Sequence, residues 1–386
     1  MTSRTVHFVT GARSEFDILL PVADAVADLG GRPGWLVGAS HLSPSHGMGI
    51  EEIRSGDVPV VAEVTSLLSS DSWEGRALSF TLLAEGLIRA LSANRPDIVV
   101  VAGDREEALA GALAGSFLQI PVAHVFGGDR CVSSDLDEVL RPAISKIAHL
   151  HFTAAEDHRE RLIRMGELPE RVWSTGGPNL DVLEREPDVG DAELSEAVGI
   201  DVASAFILFI YHPSPMLETG HEHDDVLEVV RGALSLGLPV LASYPNSDPG
   251  NYAYRSALES AARESELLRL HHNFPRRTFV ALYRRCAAIV GNSSSIVTES
   301  TFMGVPGVLV GGRQDLRTVA GNVIRVPATF QGVRAGLETV LHDPGYAQSR
   351  AGATSLYGDG HAAPRIADVL MSTPLDASLL RKTMPY

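Results

Sequence analysis

Short apolar runs alternate with longer amphipathic stretches along the chain, the pattern of repeated βα units around a parallel sheet. In the first half the runs lie in "TVHFVTG", "GWLVGAS", "DIVVVAGD", "PVAHVFGG" and "HLHFTAA". After Pro187 a second, similar series follows in "AFILFIYHP", "PVLASYPN", "AAIVGNSSS" and "PGVLVGG". Two series predict two α/β domains, and the polar, Pro- and Gly-bearing stretch "EREPDVGDAELSEAVGID" lies between them. The expected domains are 1–182 and 183–364. Residues 365–386 predict a helix, a break at Pro374 and a short second helix, a tail that can pack back on either domain, the first among them. In open α/β sheets ligands gather beyond the carboxyl ends of the strands, so chemistry is expected just after each apolar run.

Composition narrows the function. The 386 residues, 45% hydrophobic and 21% charged, suit a soluble globular protein. No apolar run approaches the ~20 residues of a membrane span. The opening "MTSRTVHFVTG" has no secretory pattern, which places the expected location in the cytoplasm. Cys131 and Cys286 are far apart and in no CxxC pattern, so reduced thiols are expected. The net charge of −16 argues against a nucleic-acid surface, and an anionic ligand would need a local positive site. Lys146 and Lys382 are the only lysines and no GxxxxGK[ST] run occurs, so phosphate contacts fall to arginine and backbone. No ligand cluster calls for a metal, and no cofactor is expected.

Several segments at strand ends carry chemistry. In "TGARSEFD", Arg13 can hold a phosphate or carboxylate in its planar fork, or be a loop arginine. Asp104 and Arg105 stand where "VVVAGD" hands over to a helix, where a carboxylate is a base or, more commonly, a cap. Past "HVFGG" come Asp129, Asp135, Asp137 and Glu138, with His124 and Arg141 near. Clustered acids suit proton transfer, because repulsion and burial separate their pKa values; a solvated acidic loop is the alternative. His149 and His151 share a strand face and read as packed histidines rather than metal ligands. His212 follows the first strand of the second series. "GNSSSIVTES" offers a helix start or an anion site, since free first-turn N–H groups and the positive helix end point the same way. Glu299 can accept sugar hydroxyls, and Arg313 and Arg317 can neutralise phosphates.

Taken together, "TGARSEFDILLP", "GDREEALAGALA", "RPAISKIAHLHFTA", "GGPNLD", "GNSSSIVTES" and "GVPGVLVGGRQ" resemble, in order, the UDP-N-acetylglucosamine 2-epimerase family, especially its hydrolysing branch. The resemblance implies a GT-B arrangement of two Rossmann-like domains with a nucleotide-sugar cleft between them, in a homodimer or homotetramer. It matches Ser293, Ser294 and Glu299 to diphosphate and ribose binding, Arg13 to the phosphate-side arginine, and Arg317 with Asn322 to a loop near the nucleotide. Asp104 and Arg105 match the catalytic "GDR", His212 the second-domain histidine, and, aligned on Arg141, Asp137 and Glu138 the paired acids. The implied reaction removes the C2 proton, eliminates the nucleoside diphosphate and hydrates the glycal with inversion at C2, a step in amino-sugar biosynthesis. Asp104 and Asp137 would move protons while His212 and Arg13 stabilise diphosphate charge.

The chain departs from the family pattern at Phe126, where several relatives carry an acid, and at Asp129, where a glutamate is usual. Two extra residues precede Arg141, Pro142 replaces a histidine and Ile296 a glycine. Asp129 or Asp135 would then stand in for the missing acid, or the reaction differs. The competing readings are a nucleotide-sugar hydrolase or epimerase for another sugar in specialised metabolism, a GT-B glycosyltransferase, and a non-catalytic nucleotide-sugar sensor.

Overall fold

A computed structural model describes residues 3–130, 136–213, 222–246 and 248–383. Two compact units emerge. The first takes in 1–130, 136–184 and 357–386, and the second spans 185–356.

The first unit holds a seven-stranded sheet of β1 (Thr5–Thr10), β2 (Arg32–Gly38), β3 (Val60–Val64), β4 (Ile98–Ala102), β5 (Val122–Val125), β6 (Leu150–Thr153) and β7 (Val172–Ser174). Its order is β3-β2-β1-β4-β5-β6-β7, with every pair parallel. The second unit holds β8 (Ile207–Ile210), β9 (Val240–Ser243), β10 (Leu268–His271), β11 (Ala288–Gly291), β12 (Gly307–Val310) and β13 (Val323–Val326), in the order β10-β9-β8-β11-β12-β13, again parallel throughout. Both are Rossmann-like sheets.

Interior strands read as continuous apolar runs because helices cover both faces. β4, "IVVVA", and β8, "ILFI", are buried at every position. Trp35 of β2 packs between Phe8 and Phe16, with ring centroids 5.6 and 5.1 Å away. In the second unit Phe209, Val290 and Val308 share a core with the helices 222–234 and 330–342.

In each sheet the strand order reverses once. β1 pairs with β4, and β8 with β11, where Ile210 lies opposite Gly291. At such reversals the connections leave to opposite faces and open a crevice at the carboxyl ends. Arg13 follows β1, Asp104 follows β4, His212 follows β8 and Ser293 follows β11.

Residues 357–364, grouped by sequence with the second domain, pack with the first. Gly177 donates its N–H to the Tyr357 carbonyl at 2.7 Å. The Asp181 carboxylate accepts from the N–H groups of Ala362 and Ala363 at 3.0 and 2.7 Å, capping the helix Ala362–Ser372. Among the described residues no helix is long and apolar enough to cross a membrane.

Candidate functional site

The first unit builds its site from charges. Gly103, in the left-handed region at φ 80°, turns the chain out of β4 and presents Asp104. That turn is held from below by His124, whose Nε2 lies 2.7 Å from the Gly103 carbonyl and whose Nδ1 lies 3.0 Å from Ser145 Oγ. Burial pushes His124 down to about 3, so a neutral ring fixes the turn. Asp104 pairs with the Arg141 guanidinium, which also donates to the Phe126 carbonyl at 2.9 Å. Arg141 comes from the helix Asp137–Ile147, whose first turn carries Asp137 and Glu138. Glu138 meets Arg130 at 3.3 Å. Pro142 lies inside this helix and removes the N–H that would bond the Glu138 carbonyl.

Phe126 occupies the left-handed region at φ 67°, unusual for a bulky side chain, and is buried. Its N–H donates to Phe152 and its carbonyl receives Arg141. A Cβ on Gly177 would come within 2.7 Å of the Phe126 ring. Phe126, where the sequence resemblance leads to the expectation of an acid, is a packed aromatic that aims a carbonyl at Arg141. Asp129 turns inward, with its Oδ1 3.3 Å from His158 Nε2 and accepting the Arg130 N–H at 2.7 Å. Asp135 lies outside the described residues.

Arg13 sits at the start of the helix Arg13–Asp28, 3.4 Å from Asp17 and 3.6 Å from Glu52. Its Nη2 is buried and has no hydrogen-bond partner among the described residues. Behind it lie two buried acids. Glu15 accepts from the N–H groups of Gly11 and Ala12 at 2.7 and 3.2 Å, and Glu107 takes Arg105 Nε at 3.3 Å. Burial and then the charge of Glu107 push Glu15 well above the carboxylate range, and burial raises Glu107 as well. Gly11 has to be glycine here, since a Cβ would reach 2.3 Å from Glu107 Cγ.

The second unit ties its strand ends together with neutral hydrogen bonds and adds arginines after β12. Gly291, at φ 144°, passes so close to β8 that a Cβ would stand 1.8 Å from the Ile210 carbonyl. The next residue, Asn292, staples the two strand ends, because its amide accepts from His212 N–H and donates to the His212 carbonyl, both at 2.8 Å. His212 Nδ1 in turn accepts the Asn246 N–H at 3.3 Å. Ser293 caps the helix Ser294–Thr298 and bonds the Ser295 hydroxyl at 3.0 Å, leaving Ser294 the exposed hydroxyl. Tyr283 fixes this turn from behind by donating to the Ser295 carbonyl at 3.0 Å. Glu299, partly buried, ends the turn. After β12, Arg313 and Gln314 reach the Asn292 carbonyl at 3.4 and 3.1 Å, and Gln314 also receives Arg317 at 3.0 Å. Asn322 is 1% exposed. Its amide is satisfied by Thr301, Ser300 and Val305 at 2.6, 2.8 and 2.8 Å. It supports the loop rather than facing outward.

Sequence reasoning missed Asn292 as a staple, Glu15 and Glu107 as a buried pair, and His158 as the partner of Asp129. Asn292 adjoins the triple serine and was legible as polar. His158 looks like any helix histidine. His149 and His151 do pack: His149 Nδ1 accepts the Val122 N–H at 3.1 Å, and His151 Nε2 meets Glu167 at 3.0 Å.

Comparison with known proteins places this architecture. A sequence model described as UDP-N-acetylglucosamine 2-epimerase matches residues 33–371. A Legionella pneumophila protein named UDP-N,N'-diacetylbacillosamine 2-epimerase (hydrolysing) is 31% identical over 99% of this chain and 100% of its own. A Campylobacter jejuni protein named GDP/UDP-N,N'-diacetylbacillosamine 2-epimerase (hydrolysing) is 25% identical over 84% of each. Among solved structures, the UDP-GlcNAc 2-epimerase of Neisseria meningitidis bound to UDP-GlcNAc gives a TM-score of 0.81 at 20% identity, covering 96% of this chain and 100% of that one. Two Rossmann-like domains in one chain of this kind are the GT-B fold. On the family match and the full-length relative, the chain belongs to the UDP-N-acetylglucosamine 2-epimerase family.

Proposed function

We propose that this chain is a hydrolysing 2-epimerase of a UDP-linked 2-acetamido sugar, releasing UDP and the free sugar inverted at C2. The observation that carries the reading is the full-length relationship, 31% over 99% of the chain, to a protein named as a hydrolysing UDP-N,N'-diacetylbacillosamine 2-epimerase. Two relatives with that sugar in their names make the diacetamido sugar the first substrate to try, with UDP-N-acetylglucosamine beside it.

In the proposed reaction a carboxylate takes the C2 proton, the C1–O bond breaks with its electron pair leaving on UDP, and a glycal forms. Water then adds its hydroxyl at C1, and a proton returns to C2 from the opposite face. Asp104 and Asp137 are the proposed proton-transfer pair. Asp104 is supported by its pairing with Arg141 and its His124-fixed turn, which give the carboxylate a defined direction. Asp137 is supported by its place in the first turn of the helix that carries Arg141. Asp129, held by His158, is proposed to position this region rather than to touch substrate. Ser294, Glu299, Arg313 and Arg317 are proposed to hold the nucleotide, with His212 and Arg13 answering diphosphate charge. Arg13 is supported by its spare buried Nη2.

The test is to incubate the purified chain with each UDP-sugar and identify both products. UDP with the free 2-epimer supports the reading. A sugar still joined to UDP, or released with its C2 configuration kept, contradicts it.

A further inference from the structure

Thirty of the 32 basic side chains are arginine, and the two lysines both end on one carboxylate. Lys146 Nζ meets Glu167 Oε1 at 3.0 Å, and Lys382 Nζ meets Glu167 Oε2 at 2.7 Å. Glu167 is buried and also takes His151 Nε2 at 3.0 Å. Lys382 does more than close this pair. Its ammonium donates to the Ser145 carbonyl at 2.7 Å and the Ala148 carbonyl at 2.5 Å, the open end of the helix Asp137–Ile147. A helix leaves its last carbonyls unsatisfied and carries partial negative charge there, so a cation with three donors suits the position.

The tail that delivers Lys382 is itself tied down. Arg171 donates to the Ser378, Leu379 and Arg381 carbonyls at 2.7, 3.0 and 3.4 Å. Asp376 caps the turn Ala377–Leu380 through the Ser378 and Leu379 N–H groups. Arg4 holds the Thr373 carbonyl at 2.9 Å.

The residue that Lys382 grips leads to the candidate site. Ser145 gives Lys382 its carbonyl and gives His124 its hydroxyl, at 3.0 Å. His124 bonds the Gly103 carbonyl, and Gly103 presents Asp104. The same helix carries Arg141, the partner of Asp104. We propose that Lys382 is a positioning residue for the reaction: the C-terminal tail straps the helix Asp137–Ile147 from its carboxyl end and, through Ser145 and His124, sets the Asp104 turn. The proposal rests on the functional reading above. Lysine rather than arginine is used because three acceptors converge on one point, which a compact ammonium satisfies and a planar guanidinium does not.

The experiment compares the full-length wild type with Lys382→Met and Lys382→Arg. Glu167 keeps Lys146 and His151 in both variants, so the cluster retains partners. Small displacements of a reacting group far from the mutation cost on the order of tenfold to a hundredfold. Lys382→Met is therefore expected to lower kcat by about that factor with KM changed less than about twofold, and Lys382→Arg to fall between it and wild type. Hydrogen exchange should quicken at 103–105 and 145–149 in Lys382→Met, and this readout needs no substrate. Unchanged exchange at 103–105 overturns the strap, as does unchanged kcat in a wild type that turns over. If wild type converts neither UDP-sugar, the functional reading fails, and the exchange data alone decide whether the tail sets the Asp104 turn.

Discussion

The two units hold their candidate residues by opposite means. After β8 and β11 the second unit uses a glycine pressed against a neighbouring strand, an asparagine staple and a serine cap. After β1 and β4 the first unit adds charges to the neutral His124 support of its turn: Asp104 on Arg141, Glu15 beside Glu107, Arg13 between Asp17 and Glu52. A frame of neutral hydrogen bonds keeps its shape across pH, whereas one of buried carboxylates changes as they titrate. Above the second ionisation of the terminal phosphate of UDP, at about pH 6, binding of UDP should therefore vary with pH less steeply than turnover.

The largest expected effect tests that division directly. Asp104→Asn should lower kcat by ~10²- to 10⁴-fold while leaving UDP affinity within about threefold, checked by steady-state kinetics and calorimetric titration. Equal loss of both would erase the contrast between the units. Next comes Gly291→Ala. With φ at 144° and a Cβ destined for 1.8 Å from the Ile210 carbonyl, it should cost at least about 1–3 kcal/mol in urea unfolding and weaken UDP binding.

Two smaller effects separate the charged groups by the sign of their pH dependence. Burial raises Glu167, but hydrogen bonds from His151 and Lys382 outweigh it and bring it to about 2. A depressed carboxylate contributes stability above its ordinary range that is lost as pH falls toward 2, so Glu167→Gln should flatten the acid limb and cost on the order of 1–2 kcal/mol at pH 7. Glu15 runs the other way. Its folded pKa is raised, so its contribution is full below the ordinary carboxylate range and is lost as pH rises through the folded value. Glu15→Gln should gain on wild type as pH climbs from about 5 to 8, whereas Glu15→Ala, which strands the Gly11 and Ala12 N–H groups, should be destabilised by about 1–3 kcal/mol throughout. Thermal melts at the two pH values distinguish the pair.

The sequence announced the middle of each sheet and missed its edges. β4, β5, β8, β11 and β12 are buried at every position and show as apolar runs. The four edge strands β3, β7, β10 and β13 are partly solvated, so "VVAEV", "VWS", "LRLH" and "VIRV" carry no such run. The same split holds for the site. Residues that sit directly past an interior strand, such as Asp104, His212 and Ser293, were legible because topology alone brings them to the reversal of strand order. Partners that meet only through tertiary packing were not. His158 reaches the loop residue Asp129 from the helix Glu156–Arg164, and Lys382 reaches Ser145 from the far end of the chain. Asn322, matched by motif to the nucleotide loop, faces the interior, where its amide is bonded to Thr301, Ser300 and Val305, a placement its sequence position does not reveal.

The central claim is that this chain breaks and remakes the bond to hydrogen at C2 while releasing UDP. NMR of the reaction with UDP-N,N'-diacetylbacillosamine in deuterium oxide follows both events in one sample. The account predicts UDP release with deuterium at C2 of an inverted sugar, in step. Release of UDP with the C2 hydrogen retained would contradict it and leave a hydrolase on an epimerase fold.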